Sequence, residues 1–223
     1  MIITIDGPAG SGKSSVARQL AAELNIAYLD TGAMYRAITL KALNTGTPLK
    51  DAAAVAYLAR QTDLQLDGGA AGTRVLMDGQ DVSEAVRSLE VSRHIDAVSS
   101  NEQVRRVLID SQREIAARLG SVVTEGRDQG SAVFPDADVR FLLEADDVTR
   151  AERRHRELLD KGVDTDFQDV LADVRRRDAN DRRQWAPLEN DVSVIRVDTT
   201  HMTLQQVVDT LRAHVDRVRP RPA

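Results

Sequence analysis

The sequence predicts an α/β fold: a doubly wound, five-stranded parallel sheet wrapped by helices and interrupted by a small antiparallel insertion. Three observations predict it. Short, largely apolar, β-rich runs recur at about 2–6, 26–29, 121–125, 138–143 and 193–197, the texture of strands buried on both faces. Helical patterns lie between them, and that alternation builds a parallel sheet with crossover helices. A glycine-rich turn follows the first run directly and opens an amphipathic segment.

Taken in order, the first strand is Ile2-Ile3-Thr4-Ile5, and the turn reads Gly7-Pro8-Ala9-Gly10-Ser11-Gly12-Lys13-Ser14. This is a complete G-x-x-x-x-G-K-S phosphate-binding loop, and Ser15 to Leu24 continues it as a helix. Glycines let the backbone wrap a phosphate without Cβ clashes. Successive N–H groups and the helix N-terminus face the anion. Lys13 supplies a point charge for the β- and γ-phosphates, and the Ser14 hydroxyl suits Mg2+. Strand, loop and helix together read as a P-loop NTPase domain that binds a nucleoside triphosphate; the loop alone leaves the reaction open.

The second strand runs into Tyr28-Leu29-Asp30-Thr31-Gly32-Ala33-Met34-Tyr35-Arg36. Ligands of open α/β sheets bind beyond the carboxyl ends of strands, so Asp30 and Thr31 fall on the ligand side, with Arg36 in the helix that follows. Read locally, Thr31 is also a helix cap and Arg36 a surface charge. Helices are expected at 34–43 and 51–61. The texture then changes: Asp63 to Leu66 alternates, Gly68-Gly69 turns, and Arg74 to Met77 leads to Asp78-Gly79. This reads as a small antiparallel sheet over about 63–82, the core of an inserted subdomain. Helices resume at 89–99 and 102–118, the second with Val104, Leu108, Ile115 and Leu119 on one face.

The third strand ends in Glu125-Gly126-Arg127-Asp128-Gln129-Gly130. Three charges in four positions at a strand's carboxyl end exceed what a turn needs. Glu125, or Asp30, can orient water on Mg2+; Arg127 can chelate phosphate; Asp128 can accept hydrogen bonds from a base or sugar. After the fourth strand a charged helix spans Asp147 to Lys161 and stops at Gly162. A second spans Asp166 to Arg183, and Pro187 ends that region. A final amphipathic helix covers Thr203 to Val218, and Arg219 to Ala223 reads as a frayed tail.

Arginine crowds the two charged helices. Arg156, Arg175 and Arg176 read as solvated partners of neighbouring acids. Arg150, Arg153, Arg154, Arg177, Arg182 and Arg183 suit phosphoryl transfer, which needs guanidinium groups around the charge shared by donor and acceptor. They can arrive on a closing lid.

Composition excludes other classes. None of the 223 residues is cysteine, which removes disulfides, thiol catalysis and thiolate metal sites. A net charge of −5 argues against general nucleic-acid binding. Neither a leader peptide nor a membrane-spanning apolar run is read in the chain, so a cytoplasmic location is expected.

Together, the phosphate loop, Asp30-Thr31-Gly32, Tyr35-Arg36, Val104-Arg105, Glu125-Gly126-Arg127-Asp128 with Phe134-Pro135, and Arg177-Asp178 with Asp181 and Pro187-Leu188 resemble bacterial cytidylate kinase. The resemblance covers almost the whole chain, in order. It implies transfer of the ATP γ-phosphoryl group to CMP or dCMP by a monomeric enzyme. It also implies a core at about 1–45, 119–148 and 184–218, an acceptor-nucleotide subdomain at 46–118 and a short helical lid at 149–183. By motif position, Gly7, Pro8, Ala9, Gly10, Ser11, Gly12, Lys13, Ser14 and Ser15 would hold ATP phosphates. Thr31 and Arg36 would meet the acceptor phosphate; Arg105 and Asp128 would read cytosine. Arg127 and Arg177 would bind phosphate or ribose, and Asp181 the ribose. Arg150, Arg153 and Arg154 would belong to the lid, and Asp198-Thr199-Thr200 would lie beside adenine. Two departures stand out. Asp96 replaces a serine common near the base, and Arg177 to Pro187 is one residue shorter than in many relatives, which aligns the last arginine with Arg183 counted back from Pro187 and with Gln184 counted forward from Arg177.

Three other readings share the loop. A regulatory GTPase needs an Asn-Lys-x-Asp guanine reader, and no asparagine here begins one. A kinase of shikimate, gluconate or another nucleotide would show the same loop, but the hairpin insertion and Glu-Gly-Arg-Asp weigh against it. A binding module with a dead site would not need intact Lys13 and Ser14.

Overall fold

A computed structural model describes residues 1–69, 72–160 and 162–218. The expected tail, the tip of the 63–82 hairpin and the helical assignment of Lys161 lie outside the described residues. The strands are β1 (Ile2–Asp6), β2 (Ala27–Asp30), β3 (Leu64–Gly69), β4 (Gly72–Met77), β5 (Gln80–Asp81), β6 (Val122–Glu125), β7 (Val139–Glu144) and β8 (Ile195–Asp198). The helices are α1 (Lys13–Leu24), α2 (Thr31–Asn44), α3 (Ala52–Arg60), α4 (Leu89–Ser99), α5 (Glu102–Leu119), α6 (Asp147–Asp160), α7 (Phe167–Glu189) and α8 (Leu204–Val218). The five-stranded sheet has the order β2-β6-β1-β7-β8, and a separate three-stranded sheet the order β3-β4-β5. The expected α/β class therefore holds, small antiparallel sheet included.

The backbone divides into two compact units, Met1–Leu24 with Val123–Ala223, and Asn25–Val122. In the first, β1 and β7 pair in parallel from Ile3↔Val139 to Asp6↔Leu142, and β7 and β8 from Phe141↔Ile195 to Glu144↔Asp198. These strands are buried on both faces: Ile3, Ile5, Phe141, Leu142 and Leu143 are all inaccessible. The helical pair α6–α7 has its own apolar seam of Ala151, Val170, Leu171 and Val174, with Leu158 and Phe167 packed against it. In the second unit, β3 and β4 pair antiparallel in register from Leu64↔Met77 to Gly69↔Gly72, so Gly68-Gly69 continue the strand rather than turn. Val55, Val75, Val86, Val91, Val104 and Leu108 are among its buried aliphatics.

Two helix ends differ from expectation. α2 starts at Thr31 rather than Met34, because the Asp30 carboxylate caps it by accepting the Ala33 N–H at 3.1 Å; the cap is Asp30, not Thr31. α7 runs through Pro187 to Glu189. Trp185 and Leu188 are buried with Leu142 and Val194, and that packing outweighs the hydrogen bond Pro187 cannot donate.

Candidate active site

The phosphate loop is built on backbone that only glycine supplies at low cost. Gly7 has φ 142°, and a Cβ there would sit 2.1 Å from the Leu143 carbonyl oxygen of β7. Gly12, at φ 88°, turns the chain into α1. Lys13 is nearly fully buried and folds back over its own loop, its ammonium donating to the Pro8 carbonyl at 2.7 Å. Burial, with the Arg127 guanidinium next, lowers that ammonium to about 7. A polyanion in the loop would offset both causes.

Beside Lys13, the Ser14 hydroxyl donates to Glu125 Oε1 at 2.9 Å, bringing the first turn of α1 to the end of β6. Glu125 and Asp128 are both buried, and Arg127 Nε donates to Asp181 Oδ2 of α7 at 3.2 Å. Behind this turn lies Asp6, the last residue of β1. Its carboxylate is completely buried and accepts the N–H groups of Gln129 and Gly130, each at 2.7 Å. Burial pushes the Asp6 carboxyl up to about 7 against the opposite pull of those two bonds.

The arginines of α6 and α7 have separate surroundings. Arg150 is buried: Nη1 donates to the Ala9 carbonyl at 3.0 Å, Nε to the Ala145 carbonyl at 2.9 Å, and the fork grips Asp178 at 2.9 and 2.5 Å. It ties the phosphate loop to α7. Arg153 donates to Thr199 Oγ1 at 3.2 Å and to the Thr199 carbonyl at 2.6 Å, in the segment after β8. Arg154 pairs with Glu157 at 2.8 Å, Arg177 is half-buried and Arg183 exposed. Arg175 and Arg176 pair with Asp147 and Asp173, as charged helix surfaces do.

The second unit holds its own polar cluster. Arg36 Nη1 donates to Ser92 Oγ at 2.9 Å, and half-buried Asp96 follows Ser92 one turn later on α4. Arg105 lies over the Tyr35 ring at 5.9 Å and donates to the Ser99 carbonyl at 3.3 Å. Thr31 is buried, and the second Asp30 oxygen stands 3.6 Å from Arg87. Two arginines, hydroxyls and a carboxylate on neighbouring helices can bind a small anion bearing a polar ring.

The cytidylate kinase family profile matches residues 3–217. The chain belongs to the cytidylate kinase family. A cytidylate kinase of Caldanaerobacter subterraneus is 44% identical over 93% of this chain and 91% of its own. One from Mycolicibacterium paratuberculosis is 45% identical over 99% and 96%. A gluconokinase structure from Sinorhizobium meliloti matches with a TM-score of 0.52 at 15% identity, over 97% of this chain and 91% of that one, a likeness of fold alone. As a member of the cytidylate kinase family, the chain shows several site neighbours that motif reading passed over: Asp6, Ser92 and the Arg150 grip on Asp178. Ser92 had one signal, its four-residue spacing from Asp96 on a helix face. Asp6 had another, a carboxylate closing an otherwise apolar strand.

Proposed function

We propose that this protein transfers the γ-phosphoryl group of ATP to CMP or dCMP, giving ADP and CDP or dCDP. Membership of the cytidylate kinase family with an intact loop, Lys13 folded over it and Ser14 beside Glu125, carries this reading. Residues 7–15 are assigned to the ATP phosphates, with the Lys13 ammonium swinging from the Pro8 carbonyl to the β- and γ-phosphates. The acceptor phosphate is already anionic, so no strong general base is required, and positioning and charge supply the rate. Arg127, Arg150, Arg153, Arg154, Arg177 and Arg183 are assigned to charge stabilisation or to holding the lid over 149–183. Arg150 and Arg153 reach phosphate by exchanging their present oxygen partners.

By the family resemblance, Thr31, Arg36, Asp96, Arg105, Arg127, Asp128, Arg177 and Asp181 are assigned to the acceptor nucleotide. Asp128 accepts from the cytosine amino group and would face a uracil carbonyl unfavourably. The hydroxyl and carboxylate of Ser14 and Glu125 fit Mg2+, an oxygen-seeking ion that keeps waters and takes its remaining ligands from phosphate. Bound there, Mg2+ would neutralise charge on the β- and γ-oxygens. Glu125 is preferred to Asp30 for its waters, because Asp30 is committed to capping α2. Among the described residues no helix is long and apolar enough to cross a membrane. The protein is further proposed to act as a cytoplasmic monomer on free nucleotides, not on nucleic acid.

The test is Mg2+- and ATP-dependent ADP production with CMP, dCMP, UMP, AMP, GMP and shikimate. Strong turnover of CMP and dCMP with weak turnover of UMP is expected, and Asp128→Ala should narrow the CMP to UMP ratio about tenfold or more. Turnover confined to another acceptor would overturn the substrate assignment.

A further inference from the structure

Asp6 is fully buried, ends β1 and immediately precedes Gly7 of the phosphate loop. Its two oxygens are divided between consecutive backbone donors, Oδ1 for Gln129 N–H and Oδ2 for Gly130 N–H. Those donors open a π turn over Gln129–Val133, directly after Glu125-Gly126-Arg127-Asp128. The same segment is secured from other sides. Gly126 N–H donates to the Ile5 carbonyl at 3.1 Å, Thr124 Oγ1 to Gln129 Oε1 at 2.8 Å, and Arg140 Nη1 to the Gly130 carbonyl at 3.1 Å. At Gly130 there is no room for a side chain: a Cβ would lie 2.9 Å from Thr4 Oγ1 and 3.3 Å from Asp6 Oδ2. A buried carboxylate is a costly choice for a strand end. Here each oxygen meets its own donor, and a carboxamide, with one acceptor oxygen and an NH2 in place of the other, would leave one of the two donors facing an N–H.

We propose that Asp6 is a positioning residue: by holding the Gln129 and Gly130 N–H groups it fixes the turn that presents Arg127 and Asp128 to the acceptor nucleotide. The role in turnover rests on the acceptor reading above; the clamp itself does not. Asp6→Asn keeps the volume but sets an amide N–H against a backbone N–H. In the full-length protein KM for CMP should rise about tenfold while KM for ATP stays within about twofold. Amide hydrogen exchange across residues 126–134 should quicken about tenfold or more, with 7–12 unchanged. An equal rise in both KM values, or lowered stability with neither KM moved, would overturn the proposal. If Asp6→Asn does not accumulate folded, Gly130→Ala displaces the same turn; the same split supports the clamp, and unchanged KM values oppose it. A wild-type protein without CMP turnover would reject the acceptor reading, while exchange in the turn still decides the clamp.

Discussion

Lys13 shows how much one residue's meaning depends on its surroundings. Its place in G-x-x-x-x-G-K-S is a matter of spacing and is legible in the chain. Its burial, its bond to the Pro8 carbonyl and the lowering of its ammonium to about 7 come from the fold. Under the proposed function, Lys13→Ala removes the charge nearest the transferred group. Turnover at saturating ATP and CMP should fall by about 10²–10³-fold, the usual effect of losing one preorganised donor at developing charge. ADP production checks this, and near-normal turnover would take Lys13 out of the reaction. Arginine is harder to read. Nothing local tells that Arg150 grips Asp178 and the Ala9 carbonyl while Arg154 pairs with Glu157, since both stand among like residues on one helix.

At the scale of elements, α6 and α7 form a charged hairpin whose seam is small and aliphatic. The Arg150–Asp178 fork is the polar tie across it, with Arg150 4% exposed. Removing one partner of a fully buried pair typically costs about 3–5 kcal/mol. Asp178 retains 27% of its side-chain exposure, so Asp178→Ala should cost less, about 2–3 kcal/mol. At about 2–4 °C per kcal/mol for a chain this long, Tm should drop by roughly 4–12 °C, measurable by thermal unfolding. An unchanged Tm would mean the fork contributes nothing net. The end of α7 carries a different lesson. Pro187 reads as a stop in the sequence, yet burial of Trp185 and Leu188 keeps the helix going.

For the molecule as a whole, Asp6 couples stability to pH. Its folded carboxyl is raised from 3.8 to about 7, so between those values the folded protein binds more protons than the unfolded chain. The stability this contributes is full below about pH 4 and is lost as pH rises through about 7. Asp6→Asn lacks that titration. The stability of the wild type relative to Asp6→Asn should therefore fall by roughly 2–3 kcal/mol from pH 5 to pH 7, as read from urea unfolding of both. A difference independent of pH would place Asp6 at its ordinary value. The whole fold is also shared widely enough to be silent on substrate, as the likeness to a gluconokinase at 15% identity illustrates.

What the amino-acid sequence determined by itself was whatever depends on short-range order. The strands were legible to within a residue or two because buried parallel strands are short apolar runs, and the small antiparallel sheet because its pattern switches to alternation. The phosphate loop was legible because its chemistry lies in eight consecutive residues, and the family because many such motifs follow in order. Only the tertiary structure decided which polar groups meet. Asp6 finds the turn 123 residues later, Arg150 finds Asp178 across a hairpin, and Arg36 finds Ser92 from another helix. Hydrogen bonds reach about 3 Å, and such distances between residues far apart in the chain exist only once packing has brought their elements together.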